Sequence, residues 1–280
     1  MEKLLELLTG KGLVEFGVSV WNGCAELVGI VLGQSPQGMQ NEAWNFATQT
    51  IYPIFLTLGV ALMCLFFVIG YARECVDIRQ QLTLENSIKM FVRLVLSNAL
   101  VTGALIWIPR FISWATGITS EVRRAGGGLG TLDANAVWDD TGLLELLNPI
   151  GTFVVSLFFM LVCMVCGFMI LVPVYKRVFN LIIIIPFAPV ALASFAGGQG
   201  LSHTGASWCK EFLAVCFEIV VMAIVLAIGG SFVNSGVFGV LTTFKFPAHL
   251  LSMLQATFGM ITITTIFKGS NALIKRALGL

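Results

Sequence analysis

Charged side chains fall along this chain in clusters, and the apolar intervals between the clusters have the length of membrane helices. A helix crossing roughly 30 Å of hydrocarbon needs about 20 mostly apolar residues. Ala43 to Ala72 carries no charge at all, which predicts a span over Ile51–Tyr71. Met90 to Ile108 is interrupted only by Arg93, predicting a second span over residues 86–109. Pro149 to Val174 is uncharged, and after Lys176 and Arg177 the apolar pattern resumes from Val178 to Phe195. The two are expected as separate spans, the later one kinked by Pro186 and Pro189. Further candidates cover Ser207–Gly229, with Lys210, Glu211 and Glu218 inside it, and Leu250–Phe267.

The first 45 residues read differently. Lys11, Glu15, Ser19, Asn22 and Glu26 recur at helical spacing and draw a polar stripe along an otherwise apolar helix. This predicts an amphipathic segment lying in the membrane interface, or one whose stripe lines a cavity or meets a partner. Between the second and third candidates, residues 110–148 hold a glycine cluster over Ala125–Gly130 and the acids Asp133, Asp139, Asp140 and Glu145. They are expected as an extracytoplasmic loop. The glycines lack the Gly-Lys-Ser/Thr ending that would make them a phosphate cradle. The pattern thus predicts an all-α polytopic transmembrane protein of about five or six spans, with an N-terminal segment (1–45) and a transmembrane domain (46–280).

Composition agrees. Hydrophobic residues make up 57% of the chain and charged residues only 11%, against roughly 25% charged in soluble domains. A net charge of +1 gives no general nucleic-acid footprint. Cys64, Cys163, Cys166 and Cys216 sit in apolar blocks, where thiols act as small hydrophobes, so Cys163-x-x-Cys166 is read as packing rather than a metal or redox pair. Met1–Glu6 has no basic leader or apolar core of a secretory signal and is expected to be retained. The bias of Lys and Arg toward cytoplasmic loops favours an extracytoplasmic N-terminus.

Ionisable groups deep in a membrane are paired or face water. Glu218 is the leading candidate, on one helical face with Ser207, Glu211 and Ala214; Arg93, with Lys89 and Ser97, marks a similar face on the second span. Charge complementarity suggests an Arg93–Glu218 pair. His203 and His249 stand alone, Cys209 has only Lys210 beside it, and the chain contains no Walker, His-Glu-x-x-His or Gly-x-Ser-x-Gly pattern. No enzymatic activity and no cofactor or metal is expected.

Pro173-Val174-Tyr175-Lys176-Arg177, the Leu181–Ile185 run, Pro186-Phe187-Ala188-Pro189, Gly197-Gly198-Gln199-Gly200 and Trp208-Cys209-Lys210-Glu211-Phe212 follow in that order. This block resembles the TrbL/VirB-six family of polytopic subunits in type IV secretion and conjugation machines, in the short form of Gram-positive mobile elements. The resemblance implies a translocation channel or scaffold subunit that forms a homo-oligomer. It would work beside other secretion-system subunits, including cytoplasmic ATPases and a coupling protein, and pass single-stranded DNA with its relaxase, or protein cargo. For DNA passage a basic lining would attract phosphate, and Arg110, Arg123 and Arg124 could serve at the outer mouth and Arg73, Arg79, Lys89 and Arg93 at the inner, the plainer reading being ordinary topogenic charge. A small secondary transporter with a midplane carboxylate is the alternative, although the chain shows no internal repeat.

Overall fold

In the computed structural model, residues 10–39, 41–76, 84–126, 130–138, 149–198, 200–234 and 248–279 are described; Arg79 and the Asp139, Asp140 and Glu145 part of the expected loop lie outside them. The principal helices are α1 (Lys11–Gly33), α2 (Tyr52–Val76), α3 (Leu84–Thr102), α4 (Ala104–Ala125), α5 (Pro149–Ile184), α6 (Ala188–Ala193), α7 (Ser202–Asn234), α8 (Ala248–Lys268) and α9 (Ser270–Ala277). Short helical turns over Pro36–Met39 and Asn41–Asn45 and a π-helical turn over Phe46–Ile51 lead into α2, and a 3-10 turn over Ser194–Gly197 follows α6. Among the described residues every regular element is helical, as hydrocarbon demands of a chain that must satisfy its own peptide groups.

Among the described residues, four helices are long and apolar enough to cross a membrane: Lys11–Gly33, Asn41–Arg73, Gly151–Ile184 and Ser202–Gly230. The pair Ser87–Thr102 and Ala104–Ala125, bent by 66°, makes a fifth if it is one span.

Three expectations need correcting. The N-terminal helix has the length and hydropathy of a span, not only of an interfacial segment. The blocks 149–174 and 178–195 are not separate spans, because α5 runs unbroken for 36 residues through Lys176 and Arg177. Lys176 stays exposed while Arg177 turns inward, so the two charges need no loop. The break comes instead at Ile185–Phe187, where Pro186 withholds an amide, and Pro189 sits in the first turn of α6. Finally, the second block bends at Gly103, and α4 carries helix to Ala125, well into the expected loop. A Cβ on Gly103 would stand 2.7 Å from the Ala99 carbonyl oxygen, so the bend requires glycine.

The chain forms two compact units. One comprises Met1–Gly33, Gly117–Lys176 and Ile219–Ala272, and the other Gln34–Thr116, Arg177–Glu218 and Leu273–Leu280. In the first, small residues bring α1 against α5: a Cβ on Gly17 would lie 3.0 Å from the Met160 backbone, and one on Gly167 would lie 3.1 Å from the Cys24 sulfur. The polar stripe of α1 meets its own chain. Asn22 clasps Leu132, donating to its carbonyl and accepting from its amide at 2.9 Å each, and the Trp21 indole donates to the Gly130 carbonyl at 2.9 Å.

In the second unit, α2 packs on α6 and the 3-10 turn through glycine. Gly59 lies against Pro189 and Gly70 against Gly197, with a Cβ at either position forced to within 2.8 Å and 2.7 Å of backbone. Phe55 meets Phe187 edge-on, with ring centres 4.8 Å apart. The buried Tyr52 hydroxyl donates to the Val101 carbonyl at 3.1 Å, and the Trp107 indole to the Leu100 carbonyl at 3.3 Å. Both carbonyls lie in the last turn of α3 and have lost their helical donors at the bend. Outward faces carry Ile54, Val68, Phe91, Val95 and Ile183, as expected where hydrocarbon is the solvent.

Gly59→Ala and Gly70→Ala are each expected to destabilise the protein by about 1–3 kcal/mol, the usual cost of overpacking. Gly12→Ala, whose Cβ meets open space, should not. Thermal unfolding of the purified chain in detergent tests this, and a Gly70→Ala protein melting with the parent would refute the contact. Tyr52→Phe should cost about 1–3 kcal/mol by orphaning the Val101 carbonyl, read as a lower denaturation midpoint with an unchanged slope.

Candidate functional site: a buried arginine and its carboxylate

The face of α5 that turns inward carries Ile170, Val174, Arg177, Val178 and Leu181, all buried. Arg177 therefore sits on the apolar stripe of its helix and is only 2% exposed. Its Nε donates to the Val215 carbonyl on α7 at 3.0 Å, and one terminal guanidinium nitrogen has no hydrogen-bond partner. Glu218, 5% exposed one turn further along α7, lies close enough to act electrostatically on Arg177. Glu218 is also the middle residue of α7, which spans Ser202–Asn234.

An isolated charge at such a position costs roughly 2.5–3.5 kcal/mol on insertion scales. The opposing charge and the hydrogen bond to Val215 offset that cost, while the unpartnered nitrogen leaves the arginine with unused donor capacity.

The helix break of this unit is built around the same segment. Ile184 ends α5, and its carbonyl accepts a 3.3 Å bond from the Trp208 indole. Trp208 stacks on Phe212 at 5.4 Å with the rings 3° from parallel, and Trp107 approaches both edge-on. Ser194 donates to the Ala191 carbonyl and accepts from the Gly205 amide at 2.8 Å, fastening the 3-10 turn to the start of α7.

The other candidates find separate places. Glu211 pairs with Lys275 at 2.7 Å, both side chains partly exposed. Arg93 is half-buried on α3 and lines a cavity with Lys89 and Ser97. Pro186 is buried in the turn after α5, and Pro189 is seated on Gly59. Arg110 is exposed on α4. Arg123 donates to the Gly29 carbonyl in the last turn of α1, where a cation suits the helix terminus, and Arg124 pairs with Glu121 at 2.9 Å. Cys163 and Cys166 are buried, unbridged thiols of the first unit, with Cys163 packed near Gly17.

The cation that sequence reasoning missed is Arg177. Taking the charges at 176 and 177 as a loop hid it, whereas continuing the helical phase from Ile170 through Val174 to Leu181 places it on the buried stripe.

Among the described residues the fold and its buried charges define an all-α polytopic membrane protein. No family model matches the chain, and neither a curated protein nor a solved structure matches it.

Arg177→Met and Glu218→Leu are each expected to lose about 3–5 kcal/mol of stability, because each strands a buried charge. The double variant should recover most of that loss. Strictly additive losses in a double-mutant cycle of unfolding in detergent would show that the two groups do not interact.

Proposed function

We propose that this chain is a channel or scaffold subunit of a type IV secretion machine in a bacterial cell membrane, moving DNA with its relaxase, or protein, during conjugative transfer. The observation that carries the reading is where the family-like residues lie. Arg177, Pro186, Pro189, Gly197, Trp208 and Phe212 stand in the order that resembles the TrbL/VirB-six subunits, and the same residues supply the buried charge, the helix break and the aromatic stack of the second unit. A helix of this unit would have to associate with others to enclose a strand of DNA. The wide apolar faces of α2, α3 and α5 provide surface for lipid and for further copies. In this reading the N-terminus is extracytoplasmic, and cytoplasmic ATPases and a coupling protein supply the energy.

Arg123 and Arg124 already hold partners within their own unit, so Arg110, exposed on α4, is the remaining outer candidate for phosphate contact.

A secondary transporter is the second reading, favoured by the charge pair at the middle of α7 in a unit that also holds a proline-broken segment. In-frame deletion is expected to abolish DNA transfer without slowing growth. The Arg177→Met/Glu218→Leu protein, if it assembles, should restore transfer, because a scaffold needs the pair only for packing. Saturable solute uptake by the reconstituted chain, lost in that double variant, would establish the transporter instead.

A further inference from the structure

Lys89, Arg93 and Ser97 follow one another at four-residue spacing along α3, and beside them runs a parallel apolar ridge of Val92, Leu96 and Leu100. Both ridges line an open cavity of 450 Å³ in the second unit, bordered also by Phe195, Gly198 and Ser202. That volume falls in the range of roughly 300–1,000 Å³ typical of small-ligand sites.

One feature of the cavity asks for a ligand. Ser97 is 1% exposed, lines the space, and its hydroxyl has no hydrogen-bond partner. A buried hydroxyl left empty-handed in an apolar setting is unfavourable, and a ligand oxygen would satisfy it. Cations stand at the same site. Lys89 and Arg93 lie on the cavity wall, and an Arg73 guanidinium nitrogen comes within 3.4 Å of where a Cβ on Gly200 would stand, in the adjoining turn. Lys89 also contacts Glu85 at 2.7 Å, but both side chains are largely exposed, and such pairs exchange partners readily. Two amides at the start of α7 are already engaged: the Ser202 amide donates to the Gly198 carbonyl and the Gly205 amide to Ser194 Oγ.

We propose that this cavity binds an anionic phospholipid, with the headgroup phosphate between Lys89 and Arg93, an ester oxygen on the Ser97 hydroxyl, and the start of an acyl chain along Val92, Leu96 and Leu100. Three observations select a lipid over free phosphate. Arg93 and Ser97 are separated by about 6 Å of helix rise, the kind of step that separates a headgroup from its glycerol esters. The apolar ridge continues past the hydroxyl, and a bare phosphate would leave it empty. The cations stand near the start of the apolar segment Ser87–Thr102, and basic pockets between membrane helices recognise acidic lipids. The inference holds whether or not the chain belongs to a secretion machine.

The test uses the full chain, reconstituted in discs of phosphatidylcholine alone or mixed with phosphatidylglycerol, then released into detergent for native mass spectrometry of retained lipid. Phosphatidylglycerol should bind at least about tenfold more tightly than phosphatidylcholine, and Lys89→Gln should remove most of that preference. Ser97→Ala should weaken retention a few-fold while melting no lower than the parent, since the hydroxyl it removes has no partner in the protein. Arg93→Lys should retain the lipid and Arg93→Gln should lose it; if the glutamine variant does not fold, the Lys89 and Ser97 variants decide. Equal retention of the two lipids, or unchanged retention in both Lys89→Gln and Ser97→Ala, overturns the proposal. Displacement of phosphatidylglycerol by millimolar inorganic phosphate overturns the lipid assignment in favour of a phosphate site.

Discussion

Hydrocarbon offers a peptide group nothing to bond with, so a membrane chain can leave the helical path only where protein supplies the missing partner. The second unit meets this constraint with side chains aimed at carbonyls that lose their helical donors. Where α3 gives way to α4 at Gly103, Tyr52 and Trp107 donate to Val101 and Leu100. Where α5 stops at Ile184, Trp208 donates to that last carbonyl. Where the 3-10 turn leads toward α7, Ser194 accepts the Gly205 amide. In the first unit Arg123 adds a cation to the Gly29 carbonyl near the end of α1. Aromatic residues suit the task because one end donates a hydrogen bond and the ring remains at home among apolar neighbours.

Buried charge obeys the same rule at a higher energetic level. Arg177 brings a wide, always-charged donor set into the apolar face of α5, where one carbonyl and one nearby carboxylate meet it. An apolar pair of similar size would often serve stability as well or better, so stability alone is a poor reason for the pair to exist. Its place between the two helices that flank the broken segment supplies a better one. Residues 185–201 have little continuous helix of their own, and a charge pair fixed between α5 and α7 sets the register of the two helices that this segment joins.

How much of this is legible in the sequence depends on whether the signal is local. The Ile51–Tyr71 span is plain because thirty residues around it carry no charge, and Pro186 and Pro189 mark a true break because proline acts on its own backbone. Glu218 could be picked out as buried because it stands alone in an apolar interval. The failures are non-local. Asn22 and Trp21 look like an interfacial stripe until Leu132 and Gly130, more than a hundred residues away, are seen to accept them. Lys176 and Arg177 look like one topogenic cluster, yet successive residues on a helix point about 100° apart, and one can face outward while the other is buried.

Glycine explains why the second unit tolerates so irregular a segment. The backbone of residues 189–197 approaches α2 closely at Gly59 and Gly70, and nothing larger fits between. Close approach gains dispersion contacts that lipid tails cannot match at a kinked, partly unwound chain, and it shields the polar turn from hydrocarbon. The consequence is asymmetric. The outer faces of α2 and α5 can exchange one apolar residue for another with little effect, because lipid adapts to them. The seam where α2 meets α6 and the 3-10 turn cannot, since each glycine there faces backbone that has no rotamer to yield. An irregular membrane segment is therefore only as stable as the regular helix against which it is laid, and in this unit that helix is α2.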